Sequence, residues 1–299
     1  MEKLGKDSRL NLAVRAASEV AAAHGLSFER ARVLQDQSNV IVHLVPTPVV
    51  ARVATTTGTV RQGDGWFARE VAVARHLEKA GAPIIPPSTA IEPGPHQHEG
   101  LVLSFWEFVE ILDEPFDPFL AGRALRSCHE ALRDFSLTLP ILALITEGKQ
   151  LLAQQIAESV FDLADAEMLV QISEGWERRL AGLPMQPLHG DPHSGNVLNT
   201  SQGVLWTDWE DVFIGPIEWD IASLVATPYV FGTDMEKAAA AIRGYGQEID
   251  NAVLDLCVEV RTFVALVWSI VLHQQHPSPQ RQARIERRLE WFREREGLV

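Results

Sequence analysis

The side chains best suited to chemistry are concentrated between residues 187 and 211. The segment 187–199 reads PLHGDPHSGNVLN and contains Asp191 and Asn196. The segment 204–211 reads VLWTDWED and contains Asp208. Mg²⁺ prefers hard oxygen ligands and takes few of them from the protein, so two acidic residues and an asparagine on loops beside short strands are typical of a magnesium–nucleotide site. A further carboxylate could orient an attacking hydroxyl and accept its proton in phosphoryl transfer.

The order of these residues resembles that of the aminoglycoside phosphotransferase family. The family pattern is His-Gly-Asp, four residues, an Asn, and then Asp-Trp/Phe-Glu at a strand end, followed by a Gly/Pro element and an Asp with a small apolar pair. Within residues 189–222 this chain carries His189-Gly190-Asp191, Asn196, Asp208-Trp209-Glu210, Gly215-Pro216 and Asp220-Ile221-Ala222. The family shares its fold with protein kinases, so the resemblance implies a kinase-like phosphotransferase.

The resemblance also implies a role for each of these residues. Asp191 would be the catalytic base, Asn196 and Asp208 the metal ligands, and Asp220 a support for the catalytic loop. We expect His189 to be structural, with its ring hydrogen-bonded to the backbone near this loop, rather than a proton carrier.

Weaker matches extend the resemblance toward the N-terminus. Ser38 and Asn39 lie in a segment that resembles the family's nucleotide-positioning turn. Glu70 resembles the helix glutamate that pairs with a strand cation, and the strand position that holds Lys in protein kinases is Arg52. Arginine is always charged and can fork onto phosphate oxygens. The resemblance therefore implies that Arg52, fixed by Glu70, steadies the phosphates.

Four residues near these motifs have two interpretations each. Phe105 and Trp106 lie where a segment connecting two lobes is expected. We expect the backbone there to face the adenine, and the alternative is that both rings serve packing. Glu210 and Asp211 either contact the metal or a cationic substrate, or face solvent, and the sequence leaves both interpretations open.

A zinc site is the main alternative for the first motif. His189, Asp191 and His193 alternate along the chain, so on a strand they would share one face and could hold Zn²⁺ as in a hydrolase. The presence of Asn196 and Asp208 favours the magnesium–nucleotide interpretation.

The elements that must position these residues change in style near residue 109. Strands dominate residues 31–109, and helices dominate the rest. The predicted elements are a hairpin of strands 40–45 and 49–54, a helix 67–80, a strand 100–106, a helix 118–135 capped by Asp117, and helices 150–163, 166–182, 235–246, 249–275 and 279–296. The sequence predicts an α+β, two-lobed, protein-kinase-like fold, with a β-rich nucleotide-binding lobe 1–106 and a helical catalytic and substrate-binding lobe 107–299.

Composition limits the function classes. The 299 residues carry 26 Lys and Arg against 40 Asp and Glu, a formal net charge of −14, and the whole excess lies in residues 109–299. A chain this acidic is a poor nucleic-acid binder, because phosphate binding needs a basic surface. We find no secretion signal and no apolar stretch of the length that a membrane span needs. Two widely separated cysteines suggest a reducing compartment, so we expect a cytoplasmic protein without a membrane partner.

These observations predict an enzyme that moves the γ-phosphate of ATP or GTP, with Mg²⁺, to a hydroxyl of a small molecule. The acidic C-terminal part favours a cationic acceptor, such as an aminoglycoside-like antibiotic or an amino alcohol. The alternative is a non-catalytic nucleotide-binding module of the same fold. The sequence gives no indication of the oligomeric state.

Overall fold

The computed structural model describes residues 6–37, 39–55 and 64–298. The chain divides into two compact units, and each is discontinuous in sequence. The first comprises Met1–Phe116 and Val197–Asp211, and the second comprises Asp117–Asn196 and Val212–Val299. The first unit thus extends past residue 106, where the N-terminal lobe was predicted to end, and takes in a later segment that pairs with it.

The first unit is built on an antiparallel sheet with the strand order β1-β2-β3-β5-β4. Its strands are β1 (Arg30–Asp36), β2 (Asn39–Val45), β3 (Val49–Ala54), β4 (His96–His98) and β5 (Leu101–Glu107). Within its described residues the helices are α1 (Lys6–Ala23) and α2 (Gly65–Lys79). A separate hairpin of β7 (Val197–Thr200) and β8 (Gly203–Trp206) precedes a 3₁₀ turn, Trp209–Asp211.

Small and β-branched residues explain this sheet and the helix packed on it. The predicted hairpin of β2 and β3 is confirmed, and alternate β2 residues such as Val40 and Val42 are fully buried. Helix α1 packs against the sheet with Ala13, Ala17 and Ala21. The predicted elements do not include α1, because its buried face consists mainly of alanines instead of the large apolar residues that mark a helix in a sequence.

The second unit is mostly helical. Its helices are α3 (Pro118–Leu132), α4 (Ala143–Ala157), α5 (Leu163–Ser173), α6 (Trp176–Leu180), α7 (Ile217–Phe231), α8 (Met235–Tyr245), α9 (Asn251–Gln275) and α10 (Pro279–Arg295). A two-stranded antiparallel ladder joins β6 (Gln186–Leu188) to β9 (Phe213–Gly215).

Several predicted helix boundaries are confirmed and others are wrong. The Asp117 carboxylate accepts a hydrogen bond from the N–H of Phe119 (2.8 Å) and begins α3. The helix predicted over 150–163 begins earlier and ends at Ala157. The helix predicted over 166–182 is two helices, because Gly175 adopts a left-handed conformation (φ 82°) that ends the first and starts the second.

Helix α9 is the longest element of the second unit. By length and composition alone it could cross a membrane, but 61% of its most apolar window is buried inside the protein. Its burial fits a core helix, as the sequence predicts. The position of α9 matters for the site described next, because it carries a single Lys or Arg residue, Arg261.

Candidate active site

The loop after β6 is fixed by one buried carboxylate. Asp220, in the first turn of α7, accepts hydrogen bonds from the N–H groups of His189 (2.8 Å) and Gly190 (3.0 Å). The indole of Trp219 donates to the carbonyl of Gly190 (2.8 Å). Gly190 has a φ of 91°, which favours glycine. Asp220 therefore lies where the resemblance places the support of the loop.

Two histidines complete the support of this loop. The His189 ring is fully buried, and its Nδ1 accepts a hydrogen bond from the N–H of Asp191 (3.3 Å). His129 of α3 lies between Asp220, at 2.8 Å from Nε2, and the hydroxyl of Tyr245, at 2.9 Å from Nδ1. The ring of His189 is hydrogen-bonded to the backbone of this loop, as the sequence predicts. The contribution of His129 was not identified from the sequence.

Asp191 is the carboxylate that this loop presents. Its Oδ1 is paired with the guanidinium of Arg261, and its Oδ2 lies 3.6 Å from Nε2 of His193. Burial alone would raise the pKa of Asp191, but the positive charge of Arg261, with smaller contributions from His193 and His189, holds it below its ordinary value. Asp191 is therefore ionised at neutral pH, as a proton acceptor must be.

Asn196 ends the loop in a buried position. Its Nδ2 donates to the carbonyl of Asp191 (2.9 Å), and its N–H donates to the carbonyl of His193 (2.9 Å). The amide oxygen, which is the atom that a metal ion needs, accepts no hydrogen bond from the described part of the chain. Asn196 thus has an oxygen free for a hard cation.

The zinc interpretation receives no support from this geometry. Residues 189–196 form a loop and not a strand, so the alternation of His189, Asp191 and His193 does not place them on one face. Nδ1 of His193 accepts a hydrogen bond from the N–H of Gly195 (2.9 Å). Over residues 6–37, 39–55 and 64–298, no group of three or more His, Cys, Asp or Glu side chains is placed to hold a metal ion.

In the first unit, one arginine forms ion pairs with three carboxylates. The Nη1 of Arg52, on β3, donates to Oε2 of Glu70 on α2 (2.6 Å). Its Nη2 donates to Oδ1 of Asp208 (2.7 Å) and is paired with Glu210. The guanidinium also lies 5.1 Å from the ring centre of Phe67. The structure thus brings Arg52 and Glu70 together, as the resemblance implies, and adds Asp208 and Glu210.

Burial and charge alter the protonation of this cluster. Burial, reinforced by the nearby Asp208, raises the pKa of Glu70 to about 7, although Arg52 opposes the shift. Burial alone would lower the pKa of Arg52, but the three carboxylates raise it above its ordinary value. When all three are ionised, the cluster carries two more negative charges than positive ones.

Asp208 and its neighbours sit at the end of the β7–β8 hairpin. Asp208 has a φ of 67°, the left-handed region, and its side chain is about one-third exposed (30%). Its Oδ2 accepts no hydrogen bond from described residues. Glu210 is buried against Arg52, so its solvent-facing interpretation is wrong, and Asp211 is half-buried.

The predicted nucleotide residues fall in three different settings. Asn39 begins β2 and is buried, and Ser38 lies outside the described residues. Phe105 is buried in β5, where its N–H donates to the carbonyl of Pro93 (2.9 Å) and its carbonyl accepts from the N–H of Ser88 (3.0 Å). These backbone groups are therefore engaged within the first unit.

Trp106 and the residues after it complete this segment. Trp106 pairs with Val50 in the sheet, and its indole donates to Oγ of Ser104 (2.9 Å). Both aromatic rings thus have the packing role that the sequence left as the alternative. The first residue past β5 whose N–H donates to no described group is Val109.

The donor groups fit a magnesium–nucleotide complex. When Glu70 is ionised, the cluster around Arg52 in the first unit has an excess of two negative charges, which a divalent cation would balance, and Asp208 of this cluster keeps an oxygen free. In the second unit, considered by itself, Asn196 also keeps an oxygen free. All of these are hard oxygen ligands of the kind that Mg²⁺ prefers. The chemistry of the residues therefore matches the group that the resemblance implies.

Comparisons with known proteins identify the family and the fold of the chain. The phosphotransferase enzyme family matches residues 20–256 of the chain. No curated protein is similar enough in sequence to match. Amicoumacin kinase hAmiN, solved in complex with AMP-PNP, Ca²⁺ and Ami, has a TM-score of 0.71 at 15% identity, with 93% of each chain covered.

Two other solved structures are similar over almost their whole length. A microcompartment-associated aminopropanol kinase has a TM-score of 0.69 at 16% identity, covering 94% of this chain and 97% of its own. Choline kinase LicA from Streptococcus pneumoniae has a TM-score of 0.67 at 13% identity, covering 94% and 98%. The predicted α+β, kinase-like fold is therefore confirmed. Since the family match covers most of the sequence, the chain belongs to the phosphotransferase enzyme family.

Proposed function

We propose that this protein transfers the γ-phosphoryl group of ATP or GTP to a hydroxyl of a small molecule. The observation that carries the proposal is the ionised Asp191 on a loop fixed by Asp220. In the reaction, the acceptor oxygen forms a bond to the γ-phosphorus while the bond from that phosphorus to the β,γ-bridging oxygen breaks. The acceptor proton passes to Asp191 and then to solvent, and the products are a phosphate ester and a nucleoside diphosphate.

The other residues bind and position the nucleotide. Arg52, held by Glu70, contributes a fixed positive charge for phosphate oxygens. Asn196 and Asp208 are the proposed protein ligands of Mg²⁺, which when bound supplies charge neutralisation to the phosphates. The free N–H of Val109 is the backbone donor that we propose for the nucleotide base.

The acceptor class rests on weaker support. The excess of acidic residues in 109–299 favours an acceptor with positive charge, such as an aminoglycoside-like antibiotic or an amino alcohol. The similarity to an amicoumacin kinase, an aminopropanol kinase and a choline kinase supports a small-molecule acceptor.

The test compares Asp191→Ala and Asp191→Asn with the parent chain. We measure Mg²⁺-dependent release of ADP or GDP with a panel of hydroxylated amines, aminoglycosides, macrolides and sugars. We expect the rate with the best acceptor to fall by about 10²- to 10⁴-fold, the usual contribution of a general base. Binding of AMP-PNP should be retained. Asp134→Ala, an exposed aspartate of the same unit, is the matched control.

Turnover by Asp191→Ala equal to that of the parent chain would disprove the assignment. Nucleotide binding without any Mg²⁺-dependent hydrolysis in the parent chain would instead identify a non-catalytic nucleotide-binding module.

A further inference from the structure

The residue that contacts Asp191 comes from outside the family match. Arg261 lies on α9, beyond residue 256, and its side chain is buried (9% exposed). It is the single Lys or Arg of α9, and its guanidinium carbon lies 5.5 Å from the ring centre of Trp219. Removing a charge from water costs free energy, so a buried guanidinium needs hydrogen bonds or ion pairs that compensate for the lost hydration.

Arg261 uses little of its hydrogen-bonding capacity on the protein. A guanidinium has five N–H donors, and within the described chain only Nη2 has an acceptor, which is Asp191. Nε is buried without a hydrogen-bond partner, and Nη1 donates to no described residue. The side chain that holds the proposed base therefore has donors left for a second anion.

A second arginine, on the helix that packs against α9, has no carboxylate partner among the described residues. Arg288 of α10 donates from Nη1 to Oγ of Ser269 (3.2 Å), and its guanidinium carbon lies 5.5 Å from the ring centre of Phe231. Burial, followed by the positive charges of Arg284 and Arg261, lowers the pKa of Arg288 to about 10. No acidic side chain within the described ranges forms an ion pair with it.

The lack of a carboxylate partner distinguishes Arg288 from other arginines of α10. Arg287, Arg293 and Arg295 of α10 each pair with carboxylates of the second unit. Arg288 instead contacts the hydroxyl of Ser269, the carbonyl of Arg284 and the ring of Phe231. Among the described residues, Asp191 is the one carboxylate paired with either Arg261 or Arg288, and His193 adds a ring nitrogen near the same carboxylate. The two arginines therefore have one ion-paired carboxylate, Asp191, between them in the described part of the chain.

We infer that Arg261 and Arg288 form the part of the acceptor site that binds a carboxylate, so that the acceptor is a hydroxy acid. This rests on the proposed function. The anion belongs to the acceptor because Arg261 is bonded to Asp191, the group that must meet the acceptor hydroxyl. One guanidinium can hold both carboxylates through different N–H groups, which places the reacting hydroxyl beside the base.

The inference departs from the acceptor class drawn from net charge, because it requires a carboxylate on the acceptor. The acidic excess of residues 109–299 describes the whole segment, whereas the charged side chain that pairs with Asp191 is the cation Arg261. An amino group elsewhere on the acceptor is compatible with both observations, so hydroxy amino acids belong to the predicted class. An amino alcohol without a carboxylate does not.

The test uses three series of matched probes with two to five carbons. The ω-hydroxy acids run from glycolate to 5-hydroxypentanoate, the amino alcohols from ethanolamine to 5-aminopentanol, and the diols share the same lengths. Ligand-observed NMR with the parent chain and Mg²⁺·AMP-PNP measures binding, and ³¹P NMR with ATP detects the phosphate ester. The variants are Arg261→Gln, Arg261→Lys and Arg288→Gln, and the control is Arg243→Gln, an exposed arginine of α8.

We expect at least one hydroxy acid to bind about tenfold or more tightly than the amino alcohol and diol of its length, since a charge-assisted hydrogen bond is at stake. Arg261→Gln and Arg288→Gln should remove this preference, Arg261→Lys should restore part of it, and Arg243→Gln should keep it.

Three results would overturn the inference. The first is that no hydroxy acid binds. The second is that an amino alcohol or diol binds as well as the hydroxy acid of its length. The third is that Arg261→Gln weakens AMP-PNP binding as much as hydroxy-acid binding, which would identify the anion as a nucleotide phosphate. Failure of the proposed function differs from all three, because the parent chain would then show no Mg²⁺-dependent nucleotide hydrolysis and no phosphate ester, whether or not it binds AMP-PNP.

Discussion

At the scale of single residues, Arg52 shows why an arginine and a lysine are not equivalent at this position. Its fork reaches Glu70 through one nitrogen and Asp208 and Glu210 through the other. A lysine ammonium is a compact point charge on a flexible stem and does not present such a planar fork. The arginine therefore keeps three carboxylates together in the interior of the first unit.

The raised pKa of Glu70 predicts a loss of stability as the pH rises. Below its ordinary pKa of 4.5, Glu70 is protonated in the folded and unfolded states alike. Between 4.5 and about 7 the unfolded chain ionises while the folded chain keeps its proton, so folding becomes less favourable. At about 1.4 kcal/mol per pH unit, the loss is on the order of 3 kcal/mol. Above pH 7 this contribution no longer changes.

Glu70→Gln should remove this decline, because glutamine does not ionise. Urea unfolding between pH 4.5 and 8, followed by circular dichroism, measures the difference. Glu78→Gln, an exposed residue of the same helix, is the control and should behave as the parent chain does. Equal pH slopes for Glu70→Gln and the parent chain would show that Glu70 keeps an ordinary pKa.

The sequence predicted those site residues that belong to a spaced motif. Asp191, Asn196 and Asp208 lie at the spacing of the family motif, so the sequence alone could propose a role for each of them, and these roles stay predictions. Arg261 and Arg288 have no such spacing, and their meaning depends on which helix faces which loop. Lone charged residues in long helices acquire significance only through tertiary contacts.

At the scale of elements, helices α3 and α8 approach each other through two glycines. A Cβ built on Gly122 would lie 2.0 Å from the carbonyl oxygen of Ala241, and one on Gly244 would lie 1.9 Å from that of Phe119. The two backbones are thus in direct contact. The pair matters for the site because α3 carries His129 and α8 carries Tyr245, the two side chains joined near Asp220.

Gly244→Ala should destabilise the second unit by about 1–3 kcal/mol or more, because the added methyl group meets backbone atoms that cannot move independently. Thermal and urea unfolding measure the change. Gly182→Ala is the matched control, since a Cβ there meets no atom within 4 Å. A stability equal to that of the parent chain would mean that the helices separate at little cost.

Sequence reasoning missed elements that show no recognisable hydrophobic pattern, either because they are apolar on most sides or because they are too short. Helix α7 is apolar on most sides and contains Pro228, so it shows neither a helical periodicity nor an uninterrupted helical composition. Strands β6 and β9 have three residues each, too few for a pattern. By contrast, the hairpin of β2 and β3 has clear strand signals and was predicted at nearly its observed bounds.

At the scale of the whole molecule, the first unit is assembled from two separate parts of the chain. The N–H of Trp206 donates to the carbonyl of Pro83 (2.9 Å), and the N–H of Ile85 donates to the carbonyl of Trp206 (3.0 Å). Trp206 is fully buried. The strand that carries it therefore belongs to the core of a unit whose other elements end before residue 117.

Residues 1–116 alone should not fold, because they lack Trp206 and the acidic partners of Arg52 from this segment. The same residues joined by a short Gly/Ser linker to 197–211 should fold, and the contact of Asn199 with the carbonyl of Glu114 (3.0 Å) shows that such a linker can be short. Dispersion of amide signals in ¹H–¹⁵N NMR spectra distinguishes the two.

The joined fragment with Trp206→Ala is the control for core packing and should lose dispersion. A well-dispersed spectrum for residues 1–116 alone would contradict the prediction, since it would show that the sheet is stable without the later hairpin.

Because the first unit is formed from two separate segments, its folding must wait until the second segment has been synthesised. The 80 residues from Asp117 to Asn196 must leave the ribosome before β7 and β8 can reach the sheet. At a translation rate of about 5–20 residues per second, this interval lasts about 4–16 s. For that time residues 1–116 stay unfolded, and the apolar side chains that later pack with Trp206 are exposed to solvent. The time taken to translate the segment from Asp117 to Asn196 therefore determines how long the first unit needs protection by a chaperone.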